Sequence, residues 1–123
     1  MANEANNALT WIFNGEIAPP EDVNSILING EKAIYAYKTI RDYAVFTNKR
    51  LIVKDAQGIT GKKVEIYSLP YSSINMYSTE NSGHLDLTSE VELWTRAGHI
   101  KISLRKGLDV RKIDRILAMA ILK

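Results

Sequence analysis

Residues 85–104 read LDLTSEVELWTRAGHIKISL. Apolar side chains recur at every second position on both sides of Ala97-Gly98, and charged or polar residues fill most positions between them. The apolar positions are Leu85, Leu87, Val91, Leu93, Ile100, Ile102 and Leu104. A period of two interrupted by a short turn predicts an antiparallel hairpin with one face in a core and the other in water.

The same period continues toward the N-terminus. From residue 32 onward β-branched and aromatic residues are dense and turn signals are frequent, such as Asn48, which suits the positive φ of a tight turn. We predict seven strands, at 33–39, 42–47, 50–55, 63–68, 74–79, 84–96 and 99–105. Because connections this short join antiparallel neighbours, the chain is expected to be mainly β with a seven-stranded antiparallel sheet.

After residue 107 the period becomes helical. Asp109 stands where a helix cap is expected, and one face of the following segment is continuously apolar. That face comprises Val110, Ile113, Ile116, Leu117, Ala120 and Ile121. We predict a C-terminal helix at 109–123 that caps a strongly bent sheet or partly open barrel, with Met119 and Leu122 on its charged side.

The first thirty residues are predicted to form a helical extension. Prolines 19 and 20, followed by Glu21 and Asp22, are typical of a helix start, and Gly30 supplies the stop. An earlier helical piece would place Leu9, Ile12 and Phe13 on one face. The predicted organisation is one domain over 1–123, with this extension at 1–30 and the β core at 32–105.

Composition restricts the class of protein. A chain of 123 residues with 46% hydrophobic and 24% charged residues is an ordinary single globular domain, which we expect to fold without a cofactor. There are no cysteines, which excludes disulfides, thiolate metal sites and a cysteine nucleophile. A reducing, cytoplasmic location fits this composition best.

Charge and hydropathy predict neither nucleic-acid binding nor a transmembrane segment. The formal net charge of +2 is too small for a broad attraction to nucleic acid. The N-terminus has neither the basic stretch nor the apolar run of a secretory signal, and no later window is long and apolar enough to span a bilayer. Any membrane contact is therefore expected to be peripheral.

Three segments carry a family resemblance: FTNKRLIV at 46–53, GITGKK at 58–63 and LPYSSI at 69–74. Together with the order of elements, they resemble the bacterial pleckstrin-homology-like domain family. This resemblance implies the pleckstrin-homology (PH-like) superfold, no catalytic residues, and a small cytoplasmic protein of unassigned activity. It also implies a tendency to assemble into ring-like homo-oligomers.

Catalytic and metal motifs are incomplete. The segment 56–63 superficially resembles a phosphate-binding loop, but alternation from Val64 onward predicts a strand where that loop requires a helix. His84 and His99 are not within metal-ligand spacing of another histidine, and the serines have no recognisable base. We predict that the protein is not an enzyme and holds no metal.

Anion binding is one candidate function. In lipid-binding relatives of the superfold, basic residues near the first hairpin loops hold headgroup phosphates. Lys38, Arg41, Lys62 and Lys63 occupy comparable loops. They predict an alternative function as a peripheral lipid-headgroup or other anion-binding module.

Outward aromatic rings suggest the other function. If Val64 and Ile66 point inward, strand parity places Tyr67 outside, and the same argument places Tyr77 and Trp94 outside. Exposed aromatic clusters on a monomer are uncommon, so either the N-terminal helical segment or another copy of the chain should cover them. With the family resemblance, this favours a non-enzymatic binding or assembly module that works as a homo-oligomer.

Overall fold

The computed structural model describes residues 9–57, 62–81 and 88–122. In this part of the chain it contains eight strands, two short 3-10 helices and one α-helix. The strands are Leu9–Ile17 (β1), Ala33–Thr39 (β2), Asp42–Thr47 (β3), Arg50–Gln57 (β4), Lys63–Pro70 (β5), Ile74–Glu80 (β6), Ser89–Thr95 (β7) and Gly98–Leu104 (β8). The 3-10 helices are Glu21–Ser25 and Tyr71–Ser73, and the α-helix is Val110–Ile121 (α1).

All eight strands belong to one open sheet in the order β5-β4-β3-β2-β1-β8-β7-β6. Neighbours pair antiparallel with one exception: β1 pairs in parallel with β8, with Leu9 beside Ile100 and Phe13 beside Leu104. The predicted count of seven strands and their uniformly antiparallel pairing are both corrected by β1. The remaining strands and α1 match the predicted segments closely, although residues 84–87 of the predicted sixth strand lie outside the described part.

The predicted N-terminal helical extension is wrong for the residues that the structure describes. Residues 9–17 form β1, and between β1 and β2 the helical structure is limited to the five-residue 3-10 helix that follows Pro20. Within β1, Trp11 and Phe13 face the core, so strand alternation, and not helical spacing, sorts these side chains. Residues 1–8 of the predicted extension lie outside the described part of the chain.

The core lies on one face of the sheet. Buried residues from every strand and from α1 form a single cluster, and a sheet can direct one face of all its strands into one cluster only if it curves strongly. The helix covers this concave face with Val110, Ile113, Ile116 and Leu117, while Met119 remains 72% exposed. The predicted apolar stripe is therefore confirmed as the cover of the sheet.

A second, smaller cluster covers part of the outer face. Residues 20–30 cross this convex side of β2, β3 and β4, where Val23 is fully buried against Ala36, Val45 and Ile52. Part of the N-terminal segment thus covers the outside of the sheet, as one of the two predicted arrangements required. What it covers, however, is Tyr43 and its aliphatic neighbours, and not the three rings that parity had placed outside.

A buried ion pair fastens the same segment to β4. The Glu31 side chain has no exposed surface, and its two carboxylate oxygens accept hydrogen bonds from Arg50 Nε (2.9 Å) and Nη2 (3.1 Å). Thr47 Oγ1 (2.7 Å) and the Ile28 amide (3.0 Å) also donate to it. Burial raises the pKa of the Glu31 carboxyl, but these hydrogen bonds outweigh it and lower the pKa to about 2. Arg50 also donates to the Ile26 carbonyl at 2.6 Å.

The turns use their residues differently from the prediction. No described residue other than glycine has a positive φ, so Asn48 does not adopt the conformation expected of it. Its side chain instead accepts from the Lys32 amide at 2.8 Å and donates to the Gly30 carbonyl at 3.1 Å. In the β7–β8 turn, by contrast, Gly98 has a φ of 138°, which only glycine adopts readily.

Within the described residues, the structure contains no helix that combines the length and apolarity needed to cross a bilayer.

Candidate functional site

A cleft of about 490 Å³ opens at the end of the concave face where β1 begins. Its walls come from β1, from the β2–β3 turn, and from the ends of β4 and β5. The lining residues on which the site depends are Trp11, Arg41, Asp55, Gln57 and Tyr67. This volume is within the range of small-molecule sites in proteins.

Two aromatic rings stand together in this cleft. The ring centroids of Trp11 and Tyr67 are 5.8 Å apart, and the ring planes are inclined at 55°. The Tyr67 hydroxyl donates to Glu65 at 3.0 Å, and this hydrogen bond to a carboxylate raises the pKa of Tyr67. Gln57 Nε2 donates to the same Glu65 oxygen at 3.0 Å, which fixes the polar rim beside the rings.

Asp55 is the polar group at the centre of the cleft wall. Its Oδ1 atom is buried and accepts no hydrogen bond in the described part of the protein. The Arg41 Nε atom is 3.7 Å from this oxygen, which is an ionic contact but is too long for a hydrogen bond. Gln57 Nε2 lies 3.4 Å from the other oxygen, Oδ2. The cleft wall thus contains a buried carboxylate oxygen that has no hydrogen-bond donor among the described residues.

The two edges of the sheet form a second candidate surface. The edge strands are β5 and β6, and both expose apolar side chains on the outer face of the sheet. Val64 and Ile66 on β5 are 46% and 45% exposed, and Met76 on β6 is 55% exposed. Met76 is opposite Trp94 in the β6–β7 register, and the Trp94 ring stacks on His99 with centroids 5.1 Å apart.

A sequence model of the bacterial PH domain matches residues 11–121. The chain belongs to this family. This bacterial PH domain is 42% identical to the uncharacterized protein YjqA of Bacillus subtilis (strain 168) over 104 residues. The aligned region covers 82% of this chain and 83% of YjqA.

Solved structures share the fold of this bacterial PH domain. A DUF1696 family protein with a pleckstrin-homology domain from Shewanella loihica PV-4 has a TM-score of 0.78 and 38% identity, over 87% of this chain and 96% of that chain. A pleckstrin homology domain from Shewanella amazonensis SB2B has a TM-score of 0.67 and 35% identity, over 89% and 94%. The predicted family and the predicted PH-like fold, a curved β structure with a C-terminal helix, are therefore confirmed.

The structure places the four predicted anion-binding residues of this bacterial PH domain on β2, in the β2–β3 turn and at the start of β5. Lys38 is exposed on the outer face of β2, between inward-facing Tyr37 and Thr39. Arg41 lines the cleft, where its guanidinium faces the Asp55 carboxylate. Lys62 and Lys63 are exposed at the start of β5. Headgroup binding by this set stays a prediction.

The predicted orientation of two aromatic rings in the bacterial PH domain is wrong. Tyr67 and Tyr77 are partly buried and pack against the central core, whereas the apolar residues that were placed inside, Val64 and Ile66, are exposed. On β6 a bulge between Ile74 and Met76 shifts the alternation, so that Ile74 and Tyr77 both face inward. Trp94 does lie on the outer face, opposite to its buried neighbour Leu93.

Of the two histidines of the bacterial PH domain, the structure describes His99. His99 lies on β8, where its Nε2 atom is 2.8 Å from a Glu92 carboxylate oxygen, and His84 lies outside the described residues. Among the described residues, no group of three or more potential metal ligands comes together. Sequence reasoning missed the cleft because its walls come from four separate strands and turns, and no local motif marks it.

Proposed function

We propose that this bacterial PH domain is a non-enzymatic assembly module that forms a homo-oligomer through its two edge strands. The family assignment supports a non-enzymatic role, since it names a type of domain and not a reaction. The observation that carries the proposal is the exposure of apolar side chains on both edges of an open sheet, at Val64, Ile66 and Met76.

An edge strand with apolar side chains exposed on its outer face is unusual for a monomer. Edge strands expose unpaired amide and carbonyl groups, and monomeric proteins normally protect them with charges, prolines or covering loops. In β5 the outward positions are the apolar Val64 and Ile66, followed by Ser68. A second copy of the chain that adds its own edge strand would satisfy the backbone groups and bury these side chains together.

The two edges have complementary side chains. If β5 of one copy pairs antiparallel with β6 of another, a register that sets Ile66 opposite Met76 keeps both side chains on the outer face. The same register brings the basic start of β5, at Lys62 and Lys63, to Glu80 at the end of β6. Opposite charges and matching apolar residues therefore favour a β5–β6 joint between copies.

A joint between two different edges is heterologous. Each copy then keeps one free edge of each kind, so the contact repeats until the assembly closes into a ring or extends as a filament. Closure is the arrangement that leaves no edge exposed. A closed series of β5–β6 contacts corresponds to the ring-like homo-oligomer that the family resemblance implied, with Ile66, Met76 and Trp94 in the contact.

The solution mass tests this proposal. We expect light scattering of the purified protein to give a mass well above the 13.8 kDa of one chain. Ile66→Lys and Met76→Lys should each reduce it, because a lysine on either edge would be buried in the joint without a partner. Met119→Lys is the matched control, because Met119 is at least as exposed but lies on the helix, and this variant should keep the wild-type mass.

Mixing the two edge variants tests the heterologous geometry. Ile66→Lys keeps an intact β6 edge, and Met76→Lys keeps an intact β5 edge, so an equimolar mixture should form a complex of two chains and grow no further. A wild-type mass of one chain at every concentration would refute the proposal. A mixture that stays monomeric while wild type assembles would refute the β5–β6 pairing.

A further inference from the structure

The cleft beside β1 has a chemical requirement that the described residues do not meet. Asp55 Oδ1 is buried in its wall and accepts no hydrogen bond within the described part of the chain. An unpaired buried acceptor costs free energy, and a buried anionic one costs more, so a donor supplied by a ligand would be strongly favoured there. Arg41, whose side chain is 59% exposed, stops at 3.7 Å and does not supply it.

The neighbouring side chains favour a cation as that donor. The rings of Trp11 and Tyr67 meet at 5.8 Å beside Asp55, and an aromatic face attracts ammonium and guanidinium groups. Glu65, which accepts from the Tyr67 hydroxyl, adds a second carboxylate to the same rim. An anionic ligand would meet both carboxylates, so these groups disfavour it.

Two basic residues line the cleft, Arg41 and Lys54, and neither reverses this preference. Lys54 lines the cleft, but its ammonium group is directed to the outer face, 2.9 Å from Asp22 Oδ2 and 3.6 Å from Asp42 Oδ2. It also lies over the Tyr43 ring, 5.3 Å from the centroid, on that same outer side. Of these two lining cations, Arg41 is therefore the one that competes for Asp55, and its exposed side chain can turn away toward solvent.

We propose that this cleft binds a small organic cation with N–H donors, an alkylguanidinium or alkylammonium compound. Its charged group donates to Asp55 Oδ1, and its planar or methylene portion lies against Trp11 and Tyr67. A guanidinium suits the site especially well, because it donates two parallel hydrogen bonds and stacks on aromatic rings. The volume of about 490 Å³ accommodates a whole small molecule.

This inference is independent of assembly. The side chains that would contact the ligand lie on the concave side of β4 and β5 and on β1, whereas the side chains substituted to test assembly, Ile66 and Met76, lie on the outer face. Loss of ligand binding and loss of assembly are therefore separate outcomes, caused by different substitutions.

The test is a titration of the full chain with n-butylguanidinium, followed by tryptophan fluorescence. A Trp94→Phe background leaves Trp11 as the single reporter. We expect a saturable change, in roughly the millimolar range for a ligand of this size. n-Butylurea, a neutral compound of the same shape, is the matched control and should bind at least about tenfold more weakly, because a charge-assisted hydrogen bond is lost.

Two substitutions assign the effect to Asp55. Asp55→Asn, checked for folding by circular dichroism, should weaken n-butylguanidinium binding by roughly tenfold or more. Arg41→Ala removes an exposed competitor and should tighten binding by roughly two- to fivefold. The Arg41 variant does not threaten the fold, so it remains decisive if the Asp55 variant does not fold.

Three results would overturn the inference. The first is no saturable response to n-butylguanidinium, and the second is equal affinity for n-butylurea. The third is weaker binding after Arg41→Ala, which would show that the arginine holds an anionic group of the ligand and that the site selects anions or zwitterions.

Discussion

Replacing Glu31 with glutamine removes the charge that holds Arg50 between the N-terminal segment and β4. The Glu31 side chain is fully buried and the Arg50 side chain is 22% exposed, so the arginine is left without its counter-ion in a mostly dry site. Removing one partner of a buried pair typically costs about 3–5 kcal/mol, and the partial exposure of Arg50 favours the lower end. We expect Glu31→Gln to lower the free energy of unfolding by about 3 kcal/mol at pH 7.

The pKa of Glu31 gives an independent route to the same magnitude. The carboxyl pKa falls from 4.5 to about 2 on folding, which corresponds to about 3 kcal/mol, since one unit is worth about 1.4 kcal/mol. Because the folded-state pKa is the lower one, this stabilisation is complete above the unfolded-state pKa and is lost as the pH falls from about 4.5 toward 2. The wild type should therefore approach the variant in stability in acid.

Urea unfolding, monitored by circular dichroism at one protein concentration from pH 7 down to pH 2.5, is the assay. A domain of this size has a total stability of about 5–15 kcal/mol, so a loss of 3 kcal/mol shifts the midpoint visibly. Glu21→Gln is the control, because Glu21 is exposed on the same segment. A Glu31→Gln variant within about 0.5 kcal/mol of wild type at pH 7, or a difference that persists unchanged at pH 2.5, would contradict the reasoning.

Two further predictions use matched pairs of residues. The buried Tyr71 hydroxyl donates to the Thr47 carbonyl at 2.7 Å, so Tyr71→Phe should lower the free energy of unfolding in urea by about 1–3 kcal/mol. Tyr37→Phe should be neutral or stabilising, because the buried Tyr37 hydroxyl has no partner among the described residues. Equal effects of the two substitutions would show that the hydrogen bond is not the cause. Ile113 is fully buried on the side of α1 that faces the sheet, so Ile113→Ala should lower the free energy of unfolding by about 2–5 kcal/mol. Met119→Ala, at an exposed position on the same helix, should change it by less than about 0.5 kcal/mol. A similar loss in both variants would mean that helix propensity, and not packing, accounts for the change.

The middle of the fold was predictable because its signals are local. Strands β2 and β3 begin and end where predicted, since alternation and turn residues are adjacent in the sequence there. β1 was not predictable in this way, because its sequence fits two patterns. Leu9, Ile12 and Phe13 have the spacing of one helix face, whereas Trp11 and Phe13 have the spacing of one strand face. Only the distant partner β8 decides between them, and no local pattern reports that pairing.

The candidate surfaces were predictable only in part, because strand parity needs a fixed reference. In β5 the apolar Val64 and Ile66 suggest which side chains face inward, but they are exposed. The buried Leu69 shows that the inward side is that of Tyr67. In β6 the bulge after Ile74 changes the parity within the strand. The cleft was beyond reach, since the distance between Trp11 and Asp55 depends on the curvature of the whole sheet.

The parallel pairing of β1 with β8 also has a consequence for how the chain acquires its structure. On the ribosome, residues 9–17 emerge well before the strand beside which they must lie, Gly98–Leu104. The growing chain therefore carries β1 without one of its two neighbouring strands until β8 has also emerged. Such distant pairings slow folding and prolong exposure to aggregation, so C-terminal truncation within β8 should yield insoluble protein and not a shorter folded domain.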